Sequence, residues 1–297
     1  MKKTGLLVLL LLTVLLPLQT QAAGPPAVKF SYTPVYQYET DIDQGGSFSV
    51  DRHLLRLDFS NFINRQTGVG LGLHYDLENW NFKNIGSVAG ATPWREVHRP
   101  TLNFSFFYAP SREWKFFVAP SVGLARTPGA KSSDSRVYGM VLSAMRSFNP
   151  DLTLGIGLGV FDRLDKVRAF PFIAISWKIN QQWQLKNPFP AGPVGPAGLE
   201  LSWNPENPWE FGFGGAWRSY RFRLSQESNV PNGIGEVEFI SGFLRLSQTL
   251  SPHFSIDFSG GGLFSGSLNI DNPDGRSLGS SNYDTAPFVA LTLKGQY

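Results

Sequence analysis

Period-two alternation constrains this chain more than any other feature. Val28, Phe30, Tyr32, Tyr36 and Tyr38 alternate with Lys29, Ser31, Thr33 and Gln37. Val69, Leu71, Leu73, Tyr75 and Leu77 alternate with Gly68, Gly70, Gly72, His74 and Asp76, and Leu152 to Val160 alternates with Thr153, Gly155, Gly157 and Gly159. Successive side chains of a strand point to opposite faces, so each run has one apolar and one polar face. Similar runs lie at residues 55–59, 102–108, 114–122, 167–177, 199–203, 209–217, 254–258 and 289–293. No comparable stretch carries apolar residues at the helical i, i+3, i+4, i+7 spacing. The mature chain is expected to be all-β.

The connections differ in length in a regular way. Short polar turns lie at residues 64–66, 110–113, 149–150, 180–182, 204–208 and 251–252. Between them come longer Gly/Pro/Asn-rich segments at residues 39–47, 78–94, 126–136, 187–197, 225–235 and 265–285, and one short member of that set near residues 162–166. Short turns on one rim and long loops on the other are the pattern of a transmembrane antiparallel up-and-down β-barrel. Fourteen strands are expected, with Trp183–Lys186 as the weak ninth; if the hairpin it forms with residues 199–203 were only loop, the count would be twelve.

Composition separates a membrane barrel from a soluble sandwich. Of 297 residues 42% are hydrophobic and 14% aromatic, but only 16% are charged. A soluble sandwich packs its apolar faces together and presents outward faces dense in Lys and Glu. This chain has too few charges for that. In lipid the apolar face meets acyl chains, the polar face lines the lumen, and closure satisfies every backbone N–H and C=O. Aromatics near strand ends, among them Tyr36, Tyr38, Trp114, Trp177 and Trp209, suit interfacial girdles.

Both ends of the chain agree with export. Lys2 and Lys3 precede the apolar run at residues 5–16, and Thr20-Gln21-Ala22 offers small residues for cleavage after Ala22. Residues 1–22 are therefore expected to be a cleaved signal peptide and residues 23–297 the barrel. Loss of the two lysines takes the net charge from +3 to +1, which removes any argument for nucleic acid. At the other end Val289, Leu291 and Leu293 share a face and the chain stops at Tyr297. A terminal aromatic after alternating apolar residues resembles the segment that the barrel-assembly machinery reads. The expected partners are that machinery together with outer-membrane lipid and lipopolysaccharide; the oligomeric state is left open.

The same phasing turns Lys29, Arg56, Asp58, His74, Asp76, Arg99, Lys115, Arg168, Arg218, Asp257 and Lys294 inward. Arg245 joins them only if Ile240, Leu244 and Leu246 face lipid, which Phe239 and Phe243 contest. These charges either brace the barrel by pairing across strands or form a slightly basic constriction favouring anions.

Recognised catalytic and ligand motifs are missing or misplaced. With no Cys, thiol chemistry and Cys-ligated zinc are excluded. The alternating glycines lie within strands rather than at a strand-to-helix turn, so they ease curvature or make room for bulky lumen neighbours. The segment with Asn269, Asp271, Asp274 and Gly275 lacks the spacing of a calcium loop and is read as a turn. His253, Ser255 and Asp257 share a strand face, but in that order Asp257 neighbours Ser255 and not His253. His53, His74 and His98 form no metal set. No catalytic residue, metal or cofactor is expected.

The stretch Asn204-Pro-Glu-Asn-Pro-Trp-Glu-Phe-Gly-Phe-Gly-Gly-Ala-Trp-Arg-Ser-Tyr-Arg-Phe-Arg-Leu224 resembles a strand-turn-strand segment of a family of uncharacterised Gram-negative outer-membrane barrels, a domain of unknown function. The resemblance implies a barrel in the outer membrane and carries no activity or cofactor. Within it Arg221 and Arg223 either meet lipopolysaccharide phosphates at the outer rim or brace the strand end. Three functions follow for such a chain: a passive porin-like conduit for small polar or weakly anionic solutes, a structural or surface-interaction barrel with a blocked lumen, or an outer-membrane lipid hydrolase without an evident site.

Overall fold

The computed structural model describes residues 27–85, 87–88, 93–187, 198–205 and 208–297; the expected signal segment lies outside them. The strands are β1 (Ala27–Asp41), β2 (Ser47–Phe62), β3 (Thr67–Lys83), β4 (Glu96–Tyr108), β5 (Trp114–Leu124), β6 (Arg136–Asn149), β7 (Leu152–Asp162) and β8 (Val167–Lys178). They continue as β9 (Trp183–Lys186), β10 (Gly198–Trp203), β11 (Trp209–Arg223), β12 (Ile234–Ser251), β13 (Phe254–Asp271), β14 (Ser277–Tyr283) and β15 (Ala286–Gln296). From β1 to β14 each pairs antiparallel with its sequence neighbour, and β15, which does not pair with β14, closes the ring between β1 and β13. β14 and β15 both pair with β13 and share one place in the wall, so the barrel has fourteen staves.

That division corrects the expected loop at residues 265–285. β13 runs on to Asp271, β14 follows, and only residues 272–276 form the turn, with Gly275 at φ 79°. β14 reads Ser-Leu-Gly-Ser-Ser-Asn-Tyr, too weakly alternating to announce a strand. It is held by its ladder to β13 rather than by an apolar outer face. Asn269 and Asp271 are accordingly strand residues. The segments at 39–47 and 78–94 also lose their starts to strands, since β1 reaches Asp41 and β3 reaches Lys83. The segment at 187–197 lies mostly outside the described residues.

The apolar face of the alternation points away from the barrel axis. Ile156 is 75% exposed and Leu244 69%, whereas Phe288 and Phe239 on the opposite face are 2% and 1% exposed. Such an outside has no soluble partner to pack against and suits acyl chains.

The inside is not uniformly filled. β1–β4 and β11–β15 enclose an aromatic core at the long-loop end, where Phe48 stacks on Trp80 (5.3 Å), Trp80 meets Trp94 (5.5 Å), and Trp94 meets Phe222 (5.0 Å). Residues 125–127 cross this mouth. Arg126 and His98 exchange backbone bonds (2.8 and 3.1 Å), Arg223 N–H donates to the Ala125 carbonyl, and Thr127 N–H donates to the Arg223 carbonyl (both 2.9 Å). The inner faces of β5–β8 are looser and glycine-rich. A β-carbon on Gly157 would lie 2.1 Å from the tip of the Phe172 ring, and one on Gly159 would lie 2.5 Å from Phe170. Gly157→Leu should therefore destabilise the barrel by about 1–3 kcal/mol through overpacking. Heat-modifiability on gels reads this, and Phe172→Ala in the same chain should restore most of it. An undiminished unfolding temperature in the single variant would contradict the packing.

Candidate functional site

The inner face is organised as two ladders of charge. The first climbs β2, β3 and β4. His74 lies 2.9 Å from Asp58, Arg56 pairs with Asp76, and Arg99 binds Glu78 and approaches Asp76 at 4.0 Å. Arg52 Nε donates to Glu78 at 3.1 Å, and the Trp80 indole donates to the other Glu78 oxygen at 3.1 Å. The Arg99 guanidinium lies 4.4 Å from the Tyr220 ring of β11, so the ladder reaches across the lumen. Arg218 stands 5.8 Å from the same ring.

The second ladder spans β9 to β15. Lys186 lies 2.9 Å from Glu210 and 3.7 Å from Glu200. Arg245 binds Glu200 at 2.5 Å, binds Glu210, and approaches Asp257 at 4.0 Å, while Lys294 pairs with Asp257. Arg245 is thus on the inner face, and Ile240, at 49% exposed, and Leu244 take the outer one. Gly212 lets the ladder pass, because a β-carbon there would lie 2.9 Å from Glu200 and 3.2 Å from Arg245.

These ladders contain six residues that the alternation did not bring to notice as lumen charges or left ambiguous: Arg52, Glu78, Lys186, Glu200, Glu210 and Arg245. Glu78 falls at the start of the expected 78–94 loop but belongs to β3, and Lys186 and Glu200 lie in the short β9–β10 hairpin. Extending the Val69–Leu77 alternation by one same-face step reaches Glu78, and the inner phase of the 199–203 and 209–217 runs already carries Glu200 and Glu210. With Glu78, Glu200 and Glu210 present, most inner cations are matched. Among the described residues no carboxylate stands within ion-pair distance of Lys29, Lys115 or Arg168. Lys29 lines a cavity of about 340 Å³ at the short-turn end with Asp58, Ser255 and Lys294. Lys115 and Arg168 sit at opposite ends of the looser wall, on β5 and β8. A second polar cavity of about 530 Å³ opens at the short-turn end between Lys178, Gln184, Ser202 and Glu210.

Arg221 and Arg223 are each only 4% exposed, so neither is presented to bulk at the rim. The Arg221 guanidinium binds Asp165 (2.5 Å), Glu236 (2.5 Å) and Asp271 (2.8 Å). Arg223 donates to the carbonyls of Asp134, Asn232, Pro273 and Leu164. Both brace the mouth by tying β11 to the β7–β8 turn and to neighbouring loops. Nearby, hydrogen bonds from Ser133 and Asn232 hold the Asp134 carboxyl below its ordinary range.

The remaining residues singled out above bond locally. His253 Nδ1–H donates to the Gln296 carbonyl (2.9 Å) and its ring stacks on Tyr297 at 5.5 Å, while Asp257 is engaged by Lys294. His53 bonds Tyr32 (2.8 Å) and His98 bonds Tyr75 (2.7 Å). Val289 is outward on β15, Leu291 and Leu293 follow at two-residue steps, and Tyr297 is 71% exposed with its backbone paired to Val28.

The architecture has counterparts among solved structures. The chain is similar in fold to the COG4313 outer membrane channel from Pseudomonas putida F1, with TM-score 0.52, 5% identity, and 94% of this chain and 98% of that one covered. A lower similarity extends to the translocator domain of the autotransporter NalP from Neisseria meningitidis, with TM-score 0.38, 9% identity and 93% and 90% covered. With the first of these, at 5% identity, only the fold is shared, and that fold is the outer-membrane β-barrel. By sequence, no curated protein matches. The model of one family matches residues 21–288, nearly the whole strand-forming chain, and the protein therefore belongs to the domain of unknown function family DUF6268.

Proposed function

We propose that this protein is a passive outer-membrane conduit for small polar solutes, with a weak preference for anions. The observation that carries the reading is the distribution of charge on the inner face. Cations of the two ladders are matched by carboxylates, whereas, among the described residues, Lys115 and Arg168 on the β5–β8 wall and Lys29 at the short-turn end stand without a carboxylate within ion-pair distance. Unmatched cations lining a narrow route lower the barrier for an anion and raise it for a cation. The polar cavities at the short-turn end give such solutes a place to enter. The route is narrow because the aromatic core and the crossing segment at residues 125–127 occupy the opposite mouth.

A second reading, a structural barrel with a closed lumen, draws on that same core. Planar-bilayer recording of purified protein separates the two. The conduit reading expects small, stable conductance steps with a reversal potential of anion-selective sign in a salt gradient. Lys115→Glu with Arg168→Glu should move that potential toward cation preference while leaving the barrel folded. Absence of any conductance step would favour the closed barrel instead.

A further inference from the structure

Near the short turns the inward side chains of β12, β13, β15, β1 and β2 form one continuous row of hydrogen-bonding groups. Thr249 stands opposite Ser255, Ser255 opposite Lys294, Lys294 opposite Ser31, and Ser31 opposite Arg56. Directly opposed positions on one sheet face hold their β-carbons roughly 5 Å apart. Lys29 lies one inward step closer to the rim, opposite Gln296 on one side and Asp58 on the other. Lys29, Ser31, Asp58, Thr249, Ser255 and Lys294 all line the cavity of about 340 Å³. In the next row up, Thr33 donates to the Thr292 hydroxyl at 3.0 Å, and Asp257, opposite Thr292, is buried. The cavity is thus a recess, roofed by that row and facing the short-turn rim.

The charges around the recess leave one cation over. The first ladder sets Arg52, Arg56 and Arg99 against Asp58, Asp76 and Glu78. The second sets Lys186, Arg245 and Lys294 against Glu200, Glu210 and Asp257. Each set balances when His74 is neutral, and Lys29 stands outside both. Asp58, its cross-strand neighbour, turns instead to His74 Nε2 at 2.9 Å, and the other ring nitrogen accepts from the Asn103 amide at 3.1 Å. The exposed Lys29 ammonium is left to the recess. The hydroxyls of Ser31, Thr249 and Ser255 also make no hydrogen bond among the described residues, unlike those of Thr33 and Thr292.

These groups define a ligand. One surplus positive charge matches a single carboxylate, whereas a phosphate dianion would leave the recess negative. A hydroxyl both donates and accepts, so three unengaged hydroxyls match the hydroxyls of a ligand better than they match a bare anion. The volume lies at the small end of the range for small-molecule sites and admits one sugar-sized molecule.

We propose that the recess binds a small hydroxylated monocarboxylate, of the sugar-acid class, with Lys29 holding the carboxylate and Ser31, Thr249 and Ser255 pairing with its hydroxyl groups. This names a solute class for the conduit and rests on that reading for its purpose, although binding itself needs no open pore. The affinity is on the order of millimolar, because an exposed ammonium is screened by salt and a conduit must let its solute go.

The test uses the purified protein in lipid nanodiscs at low salt with three probes: D-gluconate, which carries both groups, acetate with the carboxylate alone, and sorbitol with the hydroxyls alone. Saturation-transfer NMR titrations should give gluconate an affinity about tenfold or more above either of the others. Lys29→Gln should weaken gluconate by a similar factor, Lys29→Arg should keep most of the affinity, and Ser31→Ala with Ser255→Ala should bring gluconate down to acetate. Acetate or sorbitol binding the native protein as well as gluconate overturns the assignment, and that comparison needs no variant. Gluconate binding untouched by Lys29→Gln, in a barrel that keeps its heat-modifiability, overturns it too. Bilayer recording on the same preparation is the separate readout. Gluconate bound without any conductance step removes the conduit and leaves the site; conductance steps from a protein that does not bind gluconate remove the site and leave the conduit.

Discussion

Arg221→Leu is expected to destabilise the barrel by about 3–5 kcal/mol, the usual result of removing one member of a buried ionic group. Its guanidinium is the only cation within 3 Å of Asp165, Glu236 and Asp271 among the described residues. Without it three carboxylates face one another, helped only by Arg163 at 3.3 Å from Glu236 and Lys166 at 4.0 Å from Asp271. The cluster joins β11, β12 and β13 to the β7–β8 turn, so the first consequence is a loosened mouth and a lower unfolding temperature in detergent. Arg221→Lys should recover part of the loss, because an ammonium can satisfy one or two of the acids but cannot span all three. An Arg221→Leu protein as heat-resistant as the native one would show that the cluster does not brace the fold.

Arg245→Leu should cost a comparable ~3–5 kcal/mol by the same mechanism, this time at mid-wall. Glu200 is 1% exposed and Asp257 2%, so neither can recover hydration when the guanidinium goes. Lys186 stays 3.7 Å from Glu200 but already serves Glu210 at 2.9 Å. Adding Glu200→Leu should return much of the stability, since the remaining Lys186–Glu210 and Lys294–Asp257 pairs are each balanced. Urea midpoints for the two single variants and the double variant form the cycle. Additive losses would mean that the two residues do not interact.

The chain wrote its architecture plainly because a wall between lipid and lumen needs the same alternation in every strand. Val69–Leu77 and Leu152–Val160 could be placed from their spacing alone, as could the two rims. The bracing of the mouth was less legible. Arg221 and Arg223 sit on the outward phase of β11, where the sequence leaves open a rim cation or a brace; the β7–β8 turn folds against that face and buries them as braces. Which loop covers which face is a long-range fact that local periodicity does not encode.

The charge ladders lie between these cases. Arg56, Asp58, His74 and Asp76 are visible because they occupy the polar face of clean alternating runs. Glu78, Glu200 and Glu210 lie where the runs end, and their roles depend on partners in other strands. β14 was missed for a related reason, since it has no lipid to face and hence no apolar stripe to betray it.

By itself, then, the sequence determined an all-β barrel, its strand-by-strand phase, the apolar exterior and the two unequal rims, since these follow from period and composition. The tertiary structure alone decided which charges neutralise one another, that the long-loop mouth is packed, and that β9 and β10 are far shorter than the strands beside them. Those depend on register: how far each strand runs beside its neighbour fixes which side chains meet and where a ladder stops.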